Sequence, residues 1–450
     1  MNVEIFDLLE EKKWELLRPI LASMQPSDIA IIFEDMDDSD IPIAFRILPK
    51  DLAADSFVEM DREVQKRLID KLSDGEIRIV MQNIFADDAV DFLEEMPASV
   101  VKRVLAQSDR ETREAINALL KYPKGSAGSI MTVEYVSFDA EMCVLDALAL
   151  IRRRAIDSET IYTCYVTDRE NHLIGLVTAK DLLLSSEEVT IGDIMNRNVI
   201  FSYTEDSRED VANKISRCDF LAMPIVDSER RLVGIVTVDD AIDVIREEDT
   251  EDIERMAAVV PYDRPYIKMS PLEIWKKRVP WLLVLLISAT FTGLIISSYE
   301  EKLSLISSLL FASVPMMMDT GGNAGAQASV TVIRAIAVEE LSPKNILAVI
   351  FKELRVALLL GGTLGLACFA KLLLIDKMIF GLDYTLPICA VVSLSLALTV
   401  VIAKTVGSSL PLIAKRLGLD PAVVASPFIT TIVDAISLMI YCNLAIRFLG

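Results

Sequence analysis

The sequence predicts a multi-domain membrane protein with four parts in order: an all-α helical solenoid, a pair of repeated α/β modules, a connector helix and an α-helical membrane domain of five spans. Three observations support this prediction. The chain of 450 residues is 52% hydrophobic with a mean hydropathy of +0.41, which is too apolar for an ordinary soluble protein. Residues 1–270 carry 56 acidic and 31 basic side chains, whereas residues 271–450 carry 11 and 14. A segment within residues 126–250 is duplicated.

The charge and cysteine content exclude several classes of function. The strongly acidic first part repels nucleic acid and attracts cations, so we expect no nucleic-acid partner. One His and six scattered Cys without a Cys-x-x-Cys pair predict neither a zinc site nor a disulfide framework. The acid-rich start MNVEIFDLLEEKKWELL lacks a basic segment followed by an apolar core, so we expect no cleaved signal peptide and a cytoplasmic first part.

Residues 1–125 are expected to form the acidic helical domain. Similar segments recur at 25–36 (QPSDIAIIFEDM), 49–60 (PKDLAADSFVEM) and 85–96 (FADDAVDFLEEM). Each has Asp, or Ser then Asp, where a helix N-cap belongs, followed by apolar residues at spacings of three and four and closed by Met. Such repeats predict a small helical solenoid.

Residues 126–245 contain the duplication. The first copy, GSIMTVEYVSFDAEM and then YVTDRENHLIGLVTAKDLL, is matched by GDIMNRNVIFSYTED and then PIVDSERRLVGIVTVDDAI. Each copy predicts an apolar strand, a charged turn, a second strand opened by Gly, and Thr-x-x-Asp leading into a helix. The pattern resembles a tandem pair of CBS domains.

In CBS domains the Thr and the Asp three residues later can hold the ribose of a nucleotide such as ATP, while a helix N-terminus faces phosphate. The matching positions here are Thr178, Asp181, Thr237 and Asp240. An empty cleft, in a pair that serves as a dimer scaffold, is the open alternative.

Residues 246–275 predict a connector helix that delivers force to the first membrane span. The stretch REEDTEDIERMAAVV within them contains neither Gly nor Pro, so a helix is favoured over a plain linker.

Residues 276–450 are expected to form the membrane domain. A helix rises 1.5 Å per residue, so about 20 apolar residues cross a hydrocarbon core of about 30 Å. Five segments are uncharged or nearly so, at about 279–299, 303–333, 356–375, 384–403 and 421–446. Basic residues concentrate before the first span and after the second and fourth. This bias predicts a multi-pass plasma-membrane protein with a cytoplasmic N terminus and an external C terminus.

One carboxylate, Asp434, stands in the otherwise uncharged last span. A charge at the centre of a bilayer costs about 2.5–3.5 kcal/mol on insertion scales, so it is a functional hypothesis by default. Ser426 and Thr430 precede it, and Ser437 and Tyr441 follow it, at spacings of three or four, so that all five residues share one helix face. This polar row predicts a water-filled pathway. Packing of the row against other helices, with Asp434 protonated, is the open alternative.

The second span contains PMMMDTGGNAGAQAS at 315–329. Its glycines permit either a close approach between helices or an unwound turn. Asn323 and Gln327 lie four apart on one face, so amides and freed carbonyls would line a pore there.

The order of these parts, with TGGNAGAQ in the second span, LGLDP at 417–421 and Asp434 in the last span, resembles the MgtE family of magnesium channels over essentially the whole chain. The resemblance implies a Mg²⁺-selective channel rather than an enzyme. It implies a homodimer whose pore lies between the two membrane domains, and an Asp434 that binds hydrated Mg²⁺, with Ser426 and Thr430 on the same path. Mg²⁺ keeps several waters and accepts one or two carboxylates, so two symmetry-related Asp434 side chains would suffice.

The resemblance also implies a magnesium sensor that closes the channel when cytosolic Mg²⁺ is high. The positions matching the family's motifs are Asp55, Asp87, Asp91, Glu209, Asp219, Asp240, Asp243, Glu248, Glu251, Asp252 and Asp420. Taken singly, each is more often a solvated surface acid. As a group they differ, because like charges at helical spacing, such as Asp87 with Asp91, weaken a helix unless a cation binds.

Three rival functions remain open on the sequence. A coupled cation transporter regulated by the CBS pair keeps the same parts. A membrane-anchored CBS sensor would not depend on Asp434. An intramembrane aspartyl protease would use Asp319 with Asp434, but the segment IVDAI lacks the Gly-x-Gly-Asp setting of such enzymes.

Overall fold

The computed structural model describes residues 5, 8–9, 11, 13–94, 96–154, 158–262, 266–338, 340–341, 343–423 and 426–450; the side chains of residues 343, 426 and 427 are outside this description. The chain divides into two compact units, residues 1–246 and residues 247–450.

The first unit begins with a helical solenoid. Its helices are α1 (Trp14–Leu21), α2 (Pro26–Glu34), α3 (Ile41–Ile47), α4 (Lys50–Val58), α5 (Arg62–Lys71), α6 (Asp74–Met81), α7 (Ala86–Glu94), α8 (Ala98–Gln107) and α9 (Arg110–Leu119). Most helices pack against the second helix that follows them in the chain, for example α2 against α4 and α4 against α6. Stacked helix pairs pack in this way. The rings of Phe57 and Phe92 meet edge to face at 5.2 Å in the core. The solenoid prediction is confirmed.

The expected N-caps of the repeated segments are wrong at α2 and α4. Gln25 and Pro49 occupy the cap positions and accept no side-chain hydrogen bond. The acids Asp28 and Asp51 lie instead in the first turn. There a carboxylate is stabilised by the positive end of the helix dipole without capping a backbone amide.

The duplicated segment forms two sheets of identical topology. Strand β1 (Ser137–Asp139) pairs parallel with β2 (Thr163–Thr167), which pairs antiparallel with β3 (Leu173–Thr178). The second copy repeats this order with β4 (Ser202–Tyr203), β5 (Ala222–Val226) and β6 (Leu232–Thr237). The associated helices are α10 (Val144–Arg154), α11 (Ala179–Leu184), α12 (Ile191–Ile194) and α13 (Arg208–Cys218). The turn residues Asn171 and Arg230 both adopt a positive φ, 67° and 66°. The α/β pair is therefore confirmed.

The expected connector helix 246–275 is wrong in both of its bounds. Helix α14 runs from Val238 to Met256, so it begins inside the second α/β module. It ends in a left-handed residue, Ala258, with φ 57°, and the Val259 N–H donates to the Glu254 carbonyl. This hydrogen bond closes the last turn as a Schellman motif does. Beyond it, the described residues before Pro271 contain a single 3₁₀ turn, Tyr266–Lys268.

The second unit contains five long helices. They are α15 (Pro271–Ile306), α17 (Val314–Ala337), α18 (Ile346–Lys371), α19 (Leu386–Arg416) and α20 (Ser426–Leu449), with the short α16 (Ser308–Ala312) and a π-helical turn (Leu372–Lys377) between them. Among the described residues, four stretches are long and apolar enough to cross a membrane: Pro271–Ile306, Ile346–Lys377, Leu386–Arg416 and Phe428–Leu449. Helix α17, with 24 residues, is also long enough to cross a membrane. Its amide side chains and Asp319 make it less apolar than the other four.

The expected single span 303–333 is also wrong. It is interrupted at Ser307, whose hydroxyl accepts from the Leu309 N–H at 3.3 Å, and again at Ser313, so the membrane helix begins only at Val314. A serine oxygen that competes for backbone N–H groups favours such a break.

Helix α17 is packed closely on its neighbours. A Cβ added to Gly407 would lie 2.2 Å from the Gly325 carbonyl oxygen, so neither helix has room for a side chain at this crossing. Of the two alternatives for the glycine-rich segment, the structure has the close approach, because α17 is helical throughout.

Candidate ion-binding sites

The carboxylate of Asp434 lies beside Gly322, a buried residue of α17. A Cβ added to Gly322 would lie 3.9 Å from Asp434 Oδ1 and 3.3 Å from Thr430 Cγ2. Asp434 and Thr430 are both half-buried. A side chain at residue 322 would press on Thr430, so the buried glycine lets α17 approach the Asp434 carboxylate closely.

The remainder of the predicted polar row packs against helices. Ser437 is buried, and its Oγ would lie 3.0 Å from a Cβ on Gly321. The buried Tyr441 hydroxyl donates to the Leu310 carbonyl at 2.6 Å. The side chain of Ser426, a predicted pathway residue, is outside the description. The row is thus accessible at Thr430 and Asp434 and closed further along the helix.

Asn323 is exposed on α17. Its Nδ2 donates to Asp319 Oδ1, one helical turn away, at 3.1 Å. The amide therefore holds a second carboxylate of the same membrane helix.

A cluster of carboxylates brings together two predicted sensor residues, Asp87 and Asp240. Asp87 and Asp88 lie in the first turn of α7, and Asp240 lies in the first turn of α14. Glu159 belongs to the same cluster, because its charge raises the pKa of Asp87 and the charge of Asp240 raises the pKa of Glu159. One oxygen of Asp87 and one of Glu159 are buried with no hydrogen-bond partner. Unpaired buried oxygens of this kind are costly unless a proton or a cation occupies the site.

Burial and mutual repulsion raise the pKa values of the whole cluster. The pKa of Asp87 is raised well above its ordinary value, by burial and then by Asp240. Burial, followed by repulsion from neighbouring carboxylates, raises the pKa of Asp88 to about 7 and that of Glu159 to about 8. The pKa of Asp240 rises to about 6, mainly by burial, although the Thr237 hydroxyl donates to it at 2.5 Å. The site therefore binds protons near neutral pH when no metal is present.

This cluster predicts that the first unit becomes less stable as pH rises. The folded pKa values exceed the unfolded ones, so the folded state holds more protons, and stability falls between pH 4 and pH 8. Without divalent cations, we expect amide exchange in the first turns of α7 and α14 to be about tenfold faster at pH 8 than at pH 6, after correction for intrinsic rates. Hydrogen–deuterium exchange of the whole protein measures this. Equal protection at both pH values would contradict the assignment.

In the second unit, Asp420 and Glu251 both contact one arginine side chain. Arg255, on α14, donates to both carboxylates. Burial and then repulsion from Asp420 raise the pKa of Asp252 to about 6. The expectation that Asp420 would meet the connector agrees with this contact, although an arginine, and not a metal ion, joins the two. Glu248 lies on the same helix, one turn before Asp252.

The other predicted sensor residues stand apart on the surface. Asp55, Asp91, Glu209, Asp219 and Asp243 are all exposed. Asp91 accepts from Arg62 at 3.1 Å, and Asp243 faces Arg246 at 3.5 Å. In the part of the chain that the structure describes, no three Asp, Glu, His or Cys side chains form a ready-made metal site. A metal would have to keep waters as ligands or draw these groups together.

The predicted nucleotide residues cap the helices of the CBS pair. Thr178 and Asp181 form a capping box, in which the Thr178 hydroxyl donates to Asp181 Oδ2 at 2.6 Å. Thr237 and Asp240 make the equivalent hydrogen bond in the second copy. Asp240 therefore serves both the cap and the acidic cluster, so a nucleotide and a cation would compete for it.

Sequence reasoning missed Asp88 and Glu159. Glu159 is 71 residues from Asp88 along the chain and has no helical spacing to it, so no pattern could have paired them. The adjacent Asp87–Asp88 pair in ADDAVD was visible, but nothing in the sequence showed which of the two is buried.

Comparison with known proteins bears on all parts of the chain. Residues 314–444 match a family described as the divalent cation transporter MgtE, and residues 24–125 match the MgtE intracellular N domain. Residues 127–188 and 191–247 each match a CBS domain. The chain is 35% identical over 450 residues to the magnesium transporter MgtE of Thermus thermophilus, covering 99% of this chain and 98% of that protein.

Two further comparisons agree with this. The magnesium transporter MgtE of Bacillus subtilis is 33% identical over 451 residues, covering 99% of this chain and 97% of that protein. The crystal structure of the cytosolic domain of the Mg²⁺ channel MgtE in complex with ATP superposes with a TM-score of 0.52 and 33% identity, covering 54% of this chain and 100% of that domain. The chain belongs to the MgtE family of membrane magnesium transporters, and it is a transport protein rather than an enzyme.

Proposed function

We propose that this protein is a Mg²⁺-selective channel that admits magnesium to the cytoplasm down its electrochemical gradient. The observation that carries the proposal is Asp434, a half-buried membrane carboxylate that α17 approaches closely at Gly322. A divalent ion gains about 4.6 kcal/mol on crossing 100 mV, twice the value for a single charge, so inward flow needs no pump.

The pore lies on the axis of a homodimer. Mg²⁺ keeps several waters and accepts one or two carboxylates, and the two copies of Asp434 at the axis supply such a pair to the hydrated ion. Thr430, Asn323 and Ser426 would contact the waters of that ion. Lys276, Lys277 and Arg278 at the start of the first span support a cytoplasmic N terminus and an external C terminus.

Cytosolic Mg²⁺ closes the channel by binding the acidic sensor residues. The cluster around Asp87 and Asp240 has unpaired buried oxygens at the N-terminal turns of two helices, and a hydrated dication would neutralise it. Several weakly bound ions can together supply the roughly 5.5 kcal/mol that switches a gate from 1:99 to 99:1. A structural relative of the cytosolic part is described in complex with ATP, which supports adenine nucleotide as a co-ligand of the CBS cleft through Thr178, Asp181 and Thr237.

Flux into liposomes tests the conduction proposal. Purified protein is reconstituted with a Mg²⁺-sensitive dye inside and a steep inward gradient, and dye response is recorded with the sensor stripped of metal. A channel gives flux driven by voltage alone. A requirement for a second ion gradient would instead support a coupled cation transporter, and liposomes that stay tight to Mg²⁺ would leave only a membrane-anchored sensor.

Arg255 provides a prediction about the sensor. Because its guanidinium neutralises Asp420 and Glu251, Mg²⁺ must displace it to bind there. Hydrogen bonds to charged groups contribute about 1.5–3 kcal/mol, so we expect Arg255→Met to lower the Mg²⁺ concentration for half-closure about tenfold. Patch recordings with varied internal Mg²⁺ measure it, with Arg110→Met as the matched control, because Arg110 pairs with Glu114 outside the predicted sensor. A raised half-closing concentration would mean that Arg255 supports closure and does not compete with the metal.

A further inference from the structure

Helix α17 carries a carboxylate that the pathway through Asp434 leaves unexplained. Asp319 lies in the second turn of the helix, inside the membrane unit. A carboxylate that faced lipid would be unfavourable, as any charge inside a bilayer is. Its position therefore requires water or a cation nearby.

Asp319 belongs to a polar row on the open side of the helix. Asp319, Asn323 and Gln327 follow one another at spacings of four, and each is exposed. The opposite side of α17 is buried, at Met317, Gly321, Ala324 and Ala328, and the buried Gly322 lies between the two sides. Since residues four apart share a face, the helix presents its amides and its carboxylate together, away from its packed side.

Asn323 positions the Asp319 carboxylate. The hydrogen bond of 3.1 Å joins the amide nitrogen of Asn323 to Asp319 Oδ1. The amide oxygen of Asn323 and the second carboxylate oxygen are acceptors only. Both are the hard oxygen ligands that Mg²⁺ and its waters prefer.

The carboxylate also lies close to Asp434. Gly322 faces Asp434 across the helix contact, and Asp319 precedes Gly322 by three residues, about 4.5 Å along the axis. The two carboxylates repel each other. Two like charges are kept together in a membrane at lower cost when a cation lies between them.

We propose that Asp319, held by Asn323, is a second Mg²⁺-coordinating position in the pathway, one helical turn beyond Asp434 toward the Val314 end of α17. This inference rests on the proposed channel function. Adjacent positions allow an ion at one to repel the ion at the other, which is how conduction stays fast when binding is favourable. Asp319 would thus set apparent affinity and preference for divalent ions, while Asp434 is required for passage.

The experiment compares Mg²⁺ flux in liposomes for full-length Asp319→Asn, Asp319→Glu, Asn323→Ala and Asp434→Asn, each checked for a monodisperse elution profile. Thr363→Val, an exposed change on α18, is the matched control. We expect Asp319→Asn to raise the half-saturating Mg²⁺ about tenfold and to increase Na⁺ leakage. Asp319→Glu should stay near wild type, and Asn323→Ala should have an intermediate effect.

The outcomes separate the two proposals. An Asp319→Asn protein with unchanged half-saturation and unchanged Na⁺ exclusion, beside an inactive Asp434→Asn, overturns the second position and leaves the channel intact. Undiminished flux through Asp434→Asn overturns the channel proposal itself. If Asp319→Asn does not elute as a folded protein, Asn323→Ala decides, because unchanged half-saturation and unchanged Na⁺ exclusion in that variant would overturn a coordinating carboxylate that is held by Asn323.

Discussion

Replacing Asp434 with asparagine is expected to abolish Mg²⁺ uptake, with flux reduced about 100-fold or more. The change keeps the size of the side chain and removes the charge. In the dimer it removes both carboxylates from the hydrated ion, and a loss of about 3 kcal/mol in binding the ion along its path corresponds to about a hundredfold. Flux into liposomes and growth of a magnesium-auxotrophic strain both measure it.

Suitable controls make this result specific. Ser437→Ala, one turn away, alters a buried hydroxyl that packs against Gly321 and should leave flux within a few-fold of wild type. Asp434→Glu keeps the charge but lengthens the side chain toward Gly322, so we expect partial flux. Growth of the auxotroph on Asp434→Asn at the wild-type rate would contradict an essential carboxylate.

Rival functions predict different outcomes for the same variant. A membrane-anchored sensor does not depend on a carboxylate inside the membrane. In that case the wild type would not transport Mg²⁺, and Asp434→Asn would bind nucleotide and regulate as the wild type does. A coupled transporter would lose flux but would show a second driving ion in the wild type. The variant therefore distinguishes a sensor from a transport protein, and the driving force distinguishes a channel from a coupled transporter.

Local signals in the sequence predicted most of the fold. Hydropathy found the membrane helices because lipid tolerates little else, and the duplicated β–turn–β pattern gave the two matching sheets. The ends of the helices were harder to predict from the sequence. Helix α14 begins at Val238, directly after β6, and the break at Ser307 depends on whether its hydroxyl accepts from the Leu309 N–H, which hydropathy does not show.

The candidate sites were predicted in part. Asp434 was visible because a charge in an apolar run stands out. The pairing of Asp87 with Asp240 is implied only by resemblance, since 153 residues separate them, and Glu159 could not be assigned because its burial is a tertiary property. Arg255 was missed at Asp420 because a basic residue on an acidic helix ordinarily pairs within that helix.

The second large effect is expected when Asp87 and Asp240 are both replaced with asparagine: the channel should remain open at internal Mg²⁺ concentrations that close the wild type. A ligand shifts a gate only by its differential affinity for the two states. Removing two carboxylates from a half-buried cluster removes most of the attraction for a dication, so the half-closing Mg²⁺ should rise at least about tenfold, which corresponds to about 1.4 kcal/mol. Asp70→Asn, an exposed acid on α5, is the matched control and should close normally.

Protons should weaken closure of the wild type in the same direction. The pKa values of Asp88, at about 7, and Asp240, at about 6, mean that lowering the pH from 8 to 6 increasingly protonates the groups that hold the metal. Closure then requires more Mg²⁺ at pH 6 than at pH 8. The double variant, which has lost Asp240 and the repulsion by which it raises the pKa values of Asp88 and Glu159, should show a smaller pH effect. Patch recordings from both proteins at the two pH values measure this. If the double variant closes at the wild-type concentration and keeps the full pH dependence, the metal that closes the gate is bound elsewhere, and the carboxylates beside Arg255 become the site to alter next.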